Sequence, residues 1–220
     1  MECIRGKRSL YLDRSAVLEL VAPYHEVHVD LGTGDGRYVL QTARDRPDWF
    51  VIGVDACREN LQRSSRHTPQ NALFVIANVL FLPAEIAGIA SMINIAFPWG
   101  SLLQGLLDAD RRLLDGVHGL SSSDVCLEVL LNAGAVEEQG CLLDPGAERI
   151  RSVLREDGFT VGRARSLDAA ALRQLPSTWA RRLANGRDPR ATAFTARRCE
   201  PSAAIRCVPA LLERPRSLRA

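Results

Sequence analysis

The chain's 220 residues, 46% of them apolar, suffice to bury the core of one large domain, which excludes a disordered body. Its 28 basic and 26 acidic side chains leave a formal charge of +2, so net charge alone marks neither a polycationic binder nor an acidic tail. Six cysteines without Cys-x-x-Cys or Cys/His ligand spacing, and no apolar run of membrane length, argue against a zinc ribbon, a disulfide scaffold and a membrane span.

Reduced thiols, no bound metal and a cytoplasmic location are the expectations that follow. In chain order, the alternation at 2–4 and 10–12 around Arg5-Gly6-Lys7 predicts a β-hairpin, and Asp13 is placed to cap a helix over 14–22. Short β-branched apolar runs follow at 27–31, 50–55, 72–77, 92–97 and 125–131. Between them, 37–46, 57–66, 84–88 and 101–115 read as helices or helical turns. Strands apolar on both faces and separated by helices describe a mostly parallel sheet covered on both sides, so the predicted class is α/β, doubly wound. Further on, a helix at 146–157, a strand after Gly158, helices at 168–175 and from about Ser177, and a strand at 191–198 complete one domain over 1–198. Residues 199–220, with Pro201, Pro209 and Pro215 among many arginines, read as a loosely ordered basic tail. From Trp179 onward ten Arg face three acidic residues, whereas residues 1–178 carry 18 basic and 23 acidic groups. A basic end on a mildly acidic body suits a phosphate-rich or otherwise anionic partner.

The strongest local signal is Asp30-Leu31-Gly32-Thr33-Gly34-Asp35-Gly36-Arg37, at the end of the first long strand and the start of a helix. Glycines at alternate positions allow a tight turn and close approach to a ligand. A nicotinamide-cofactor fingerprint needs glycine at 37 and finds Arg37. The Asp-x-Gly-x-Gly-x-Gly form instead resembles the first motif of class I S-adenosylmethionine-dependent methyltransferases, which have a Rossmann-like fold. The resemblance implies that Gly32, Gly34 and Gly36 shape the cofactor turn and that Asp30 faces the cofactor's amino-acid end. Asp55 ends the second long strand 19 residues beyond Gly36, where a carboxylate can accept both ribose hydroxyls. Asp35 reads as a helix cap or a locally bonded residue. At the end of the third strand, either Asn78 or the backbone of Ala77 and Val79 can meet the cofactor adenine.

The fourth strand ends in Phe97-Pro98-Trp99-Gly100, where methyltransferases of exocyclic amines carry Asn/Asp-Pro-Pro-aromatic. Phe97 lacks the polar acceptor of that motif, which suits a ring nitrogen with its own lone pair better than an amine. Together with Asp30–Arg37, Gly53-Val54-Asp55 and the run Ser177-Thr178-Trp179-Ala180-Arg181-Arg182-Leu183-Ala184-Asn185-Gly186-Arg187, this motif is similar to the aminoglycoside-resistance 16S rRNA adenine N1-methyltransferases of the kanamycin–apramycin type. The likeness runs from the hairpin to about residue 198. It implies methyl transfer from S-adenosylmethionine to N1 of adenine 1408 in the assembled 30S subunit, with Trp99 and Trp179 clamping the flipped base. It further implies that Glu138, or less closely Glu137, lies near the target base, and that Ser101 and Ser177 line the cofactor or base pocket. A monomer docking on RNA through Arg58, Arg63, Arg66 and His67, and through Arg182, Arg187 and Arg190, completes the expectation. Trp49 reads as a core residue, and the four histidines do not cluster. The alternatives are a tRNA guanine N7-methyltransferase, whose basic run after the fourth-strand motif is replaced here by Gly100-Ser101-Leu102-Leu103, and an inactive cofactor-binding module that binds RNA.

Overall fold

The computed structural model describes residues 1–186 and 188–198. A ten-stranded sheet runs through the molecule. Its centre is five parallel strands, in spatial order β5 (Ala72–Ile76), β4 (Trp49–Asp55), β3 (Glu26–Leu31), β6 (Ala90–Ala96) and β7 (Ser121–Asn132). These are the five runs expected from sequence. Five of six residues in β3 and six of seven in β4 are buried, as a sheet covered on both faces requires. The hairpin β1 (Glu2–Arg5) and β2 (Arg8–Tyr11) adds antiparallel to β5 through Cys3 and Val75. At the other edge β10 (Ala191–Arg198) runs antiparallel to β7 and pairs in turn with β8 (Thr160–Val161) and β9 (Arg165–Leu167). The doubly wound α/β class with an N-terminal hairpin therefore holds.

Helix α1 (Arg14–Val21) starts at Asp13, whose carboxylate accepts from the Ala16 N–H at 2.9 Å, as its sequence predicts. Helix α2 (Arg37–Asp45) follows the glycine loop. The segment over 57–66, read as helix or helical turn, consists of α3 (Arg58–Leu61) and a 3-10 turn at Ser64–His67. The segment read as helical over 101–115 holds two helices, α4 (Gly100–Leu107) and α5 (Arg111–Leu120), the second running past the expected end. Ala109 between them has φ +55, a left-handed conformation that no helix continues through, and Asp110 caps α5 by accepting from the Arg112 N–H at 2.9 Å. Helix α6 (Ala133–Glu138) has no counterpart in the sequence reading, and α7 begins at Leu143 (Leu143–Glu156), ahead of the expected 146. The last helices among the described residues are α8 (Ala169–Gln174) and α9 (Thr178–Ala184).

The main core lies along the central strands, and a second apolar cluster joins Tyr38, Phe97, Leu130, Leu172, Leu175 and Ala180. That second cluster seats α8 and α9 over the carboxyl end of the sheet, beside the glycine loop. Trp49 is buried and stacked on His28, a core residue as expected. Cys3, Cys57 and Cys141 are free thiols. The basic tail over 199–220 lies outside the described residues. Among the described residues no helix is long and apolar enough to cross a membrane, and no three His, Cys, Asp or Glu side chains gather as a metal site.

Candidate active site

The crossover from β3 goes to β4 on one side while β6 lies on the other, so a crevice opens where the strand order reverses. The glycine loop occupies that crevice. Gly32, Gly34 and Gly36 have φ of +74, +57 and +70, conformations costly for a residue with a Cβ. The loop is fastened to β4 by N–H donation from Gly32 and Thr33 to the Val54 carbonyl at 2.9 and 3.0 Å. One Asp55 carboxylate oxygen accepts from the Gly34 N–H and the other from the Cys57 N–H, both at 2.8 Å. Each oxygen keeps a lone pair for a further donor. A side chain at Gly34 would enter open space within the cavity, so the loop leaves a cradle there. At Gly36 the demand is different. A Cβ there would stand 2.5 Å from the Phe74 ring, so Gly36 is required for close packing under the loop.

Asp30 is buried and accepts from the Asn94 side-chain amide at 2.6 Å. Burial raises its pKa to about 6 against the opposing pull of its hydrogen bonds, and the neighbouring Asp55 charge adds to the rise. A cation placed beside it would restore the ionised form. Beneath, the Tyr38 hydroxyl meets His28 Nε2 at 3.1 Å, and burial lowers His28 to about 3, so that histidine is a neutral structural group.

The cavity measures about 490 Å³. Its wall includes Asp30, Gly32, Gly34, Asp55 and Asn78 from the expected cofactor set, Ser101 and Ser177, and both Trp99 and Trp179. Sequence reasoning missed Thr33, Tyr38, Asn60 and Thr178 as wall residues, and it treated Asp35 as purely local. Asn78 spends its carbonyl oxygen on the Leu80 N–H at 2.9 Å, which leaves its amide N–H groups as donors toward the cavity. Ser177 accepts from the Ala180 N–H at 3.4 Å as the N-cap of α9, a structural role beside its place in the wall.

Phe97, buried with φ +54, turns the chain sharply out of β6, and Trp99 then stands as the N-cap of α4. Trp179 comes from the first turn of α9 on the opposite wall. The two indoles are 38% and 41% exposed, too open for core residues, and they stack on each other with centroids 5.6 Å apart and planes 29° apart. The Arg182 guanidinium lies 5.4 Å from the Trp179 ring centroid.

Other expected residues fall elsewhere. Glu138 is exposed at the end of α6 and does not reach the cavity wall. Its neighbour Glu137 pairs with Arg190 at 3.0 Å, and Arg190 also grips Asp188 in a two-pronged contact at 2.8 and 2.7 Å. Arg190 is thus a neutralised cation in this structure. Arg58 is committed as well, donating to Glu2 at 2.7 Å, to the Ser9 hydroxyl at 2.9 Å and to the Lys7 carbonyl at 3.3 Å, so it anchors the hairpin. Arg63, Arg66 and His67 are exposed, Arg182 is exposed beside Trp179, and Arg187 lies outside the described residues.

A family model described as 16S rRNA (adenine(1408)-N(1))-methyltransferase, of the NpmA type, matches residues 2–198. The Escherichia coli protein named 16S rRNA (adenine(1408)-N(1))-methyltransferase is 31% identical over 205 residues, which span 85% of this chain and 94% of that protein. The crystal structure of the 16S rRNA methyltransferase KamB superposes with a TM-score of 0.81 at 26% identity, covering 91% of this chain and 100% of KamB. A Synechococcus tRNA (guanine-N(7)-)-methyltransferase is 32% identical but over 81 residues only, 32% of this chain. The likeness to the rRNA enzymes spans every wall of the cavity, glycine loop and both tryptophans included, and on that evidence the chain belongs to the 16S rRNA (adenine(1408)-N(1))-methyltransferase family.

Proposed function

We propose that this enzyme methylates N1 of adenine 1408 of 16S rRNA within the assembled 30S subunit, acting as a monomer in the cytoplasm and conferring resistance to kanamycin and apramycin. The single observation that carries the reading is the Trp99–Trp179 pair, 5.6 Å apart in one cavity with Asp30 and Asp55. S-adenosylmethionine, the cofactor, supplies an electrophilic methyl group on a sulfonium. Asp30 meets its ammonium, Asp55 takes its ribose hydroxyls, Gly32 and Gly34 allow close approach, Asn78 faces its adenine, and Ser101 and Ser177 complete the wall.

A base within structured RNA must be extruded before its ring nitrogen is reachable, and aromatic faces hold an extruded base. Trp99 and Trp179 open to accept it. Each indole contributes about 1–3 kcal/mol of stacking. Neutral adenine presents the N1 lone pair, so alignment carries the catalysis and no general base is needed. The ring gains positive charge as N1 is methylated, and the two indole faces stabilise a cation held between them. Arg63, Arg66, Arg182 and Arg187 contact phosphates, Arg58 and Arg190 join them only by leaving their carboxylate partners, and Glu138 faces the RNA from the outer end of α6.

Primer extension on 30S subunits treated with enzyme and S-adenosylmethionine tests the reading, because a methyl on N1 stops reverse transcriptase at one nucleotide. A stop at adenine 1408 is the expected result. Methylation of a tRNA transcript in place of the subunit favours the guanine N7 alternative. Cofactor binding without transfer to either RNA favours an inactive binding module.

A further inference from the structure

The hairpin tip concentrates charge that the protein itself leaves unbalanced. Its two-residue turn, Gly6-Lys7, is flanked by Arg5 and Arg8, which face each other as a cross-strand pair. Gly6, at φ +63, takes the turn position that such a hairpin needs. Like charges directly opposite each other destabilise a strand pair. Arg5, Lys7 and Arg8 are all exposed, and none has an ion-pair partner among the described residues. Glu2 is the hairpin's single acidic residue, and it is already bound by Arg58 at 2.7 Å.

The tip is not a loose arm. The Gly6 N–H donates to the buried Ser65 hydroxyl at 2.9 Å, and the position of a Cβ on Gly6 would lie 3.2 Å from Arg66 Cγ. Cys3 and Ile4 are buried against the sheet. The tip therefore packs on the 3-10 turn that holds Arg66 and His67, and its cations join Arg66 on one fixed surface. Rigid cations that repel each other within the fold gain most from an outside polyanion, because neutralising phosphates removes the repulsion and releases counterions.

We infer that Arg5, Lys7 and Arg8 form a second RNA-docking surface, taking phosphates of helical RNA alongside Arg63 and Arg66. This rests on the reading of structured RNA as the substrate. It assigns the hairpin a binding role where the sequence shows only an extension of the sheet.

The test is an Arg5→Gln/Arg8→Gln double variant of the full chain, titrated against 30S subunits over a series of salt concentrations. Subunit affinity should fall about 10-fold, and the slope of log affinity against log salt should drop by about 2, one unit for each phosphate that the variant no longer neutralises. S-adenosylmethionine affinity should stay at the wild-type value, and the melting temperature should hold or rise because the like-charge pair is gone. Unchanged affinity and slope in the folded variant, beside normal wild-type binding, overturn the hairpin surface alone. Absence of salt-dependent subunit binding by the wild type overturns it together with the RNA reading. Wild-type binding to phosphatidylglycerol vesicles that the variant loses, with subunit affinity intact, assigns the tip to membranes and overturns the proposal.

Discussion

The Thr178 hydroxyl donates to the Asp35 carboxylate at 2.8 Å, although the two residues are 143 positions apart in the chain. Asp35 sits between Gly34 and Gly36, and Thr178 immediately precedes Trp179, so this bond ties the glycine loop to the helix that presents one indole. Thr178→Val should slow single-turnover methylation by about 10- to 100-fold through misplacement of Trp179, since about 1 Å of misalignment has that effect. Thr178→Ser, which keeps the hydroxyl, should restore the rate. Calorimetric affinity for S-adenosylmethionine should change by less than about 2-fold in both, and a wild-type rate for Thr178→Val would show that the bond does not position the indole.

Trp99 and Trp179 are open enough that truncation leaves the core intact. Trp99→Ala and Trp179→Ala should melt near the wild-type temperature, bind cofactor and dock on subunits, while methyl transfer falls by about 100-fold. Phenylalanine at either position should recover part of the rate with its weaker quadrupole. Melting curves and single-turnover methylation on the same variants decide the matter: a proportional loss of stability and activity would mean a core role.

With the cofactor ammonium beside Asp30 as proposed, the pKa of that carboxyl, raised by burial to about 6, predicts a cofactor affinity that depends on pH. Only the ionised carboxylate attracts the cofactor ammonium, so affinity should rise about 10-fold between pH 5 and pH 7 and level off above that. Stability runs the other way: a carboxyl whose folded pKa lies above its unfolded value near 3.8 favours the native state as pH falls through about 6 toward about 4. Titration calorimetry across this range should show the affinity trend in the wild type and a flat profile in Asp30→Asn. A flat wild-type profile would remove Asp30 from the ammonium site.

Asp55 holds the loop through one oxygen and the Cys57 N–H through the other, with lone pairs left for a diol. Asp55→Ala should weaken S-adenosylmethionine binding by about 1–3 kcal/mol, the scale of lost charge-assisted hydrogen bonds. Affinity equal to wild type by calorimetry would place the ribose elsewhere.

Gly36→Ala should destabilise the fold by about 2–4 kcal/mol, combining the left-handed φ of +70 with a Cβ driven into the Phe74 ring at 2.5 Å. A urea titration measures it. A change below about 1 kcal/mol would mean that the loop relaxes freely and that the glycine is not a packing requirement.

The parallel strands, the cap at Asp13, the glycine loop and the acidic end of β4 were all legible in the amino-acid order. Their signals are local: apolar runs mark strands buried on both faces, and alternate glycines mark a backbone that must turn where a Cβ collides. The family pattern around Phe97–Gly100 and Ser177–Arg187 likewise pointed to two tryptophans, and both lie on the wall of one cavity. What the order of residues left undecided was every matter of long-range pairing. Arg58 reads as a free cation in sequence, yet it is bound to Glu2, 56 positions away. Arg190 has Asp188 beside it in sequence, but its second carboxylate, Glu137 at the end of α6, comes from a distant part of the chain. Gly36 looks like its two partner glycines until Phe74 is found beneath it, and Ala109 gives no local reason to break a helix. Whether a charge stays available for a ligand, or a small residue serves packing, depends on which surfaces the tertiary fold brings within a few ångströms. No signal confined to neighbouring residues carries that information.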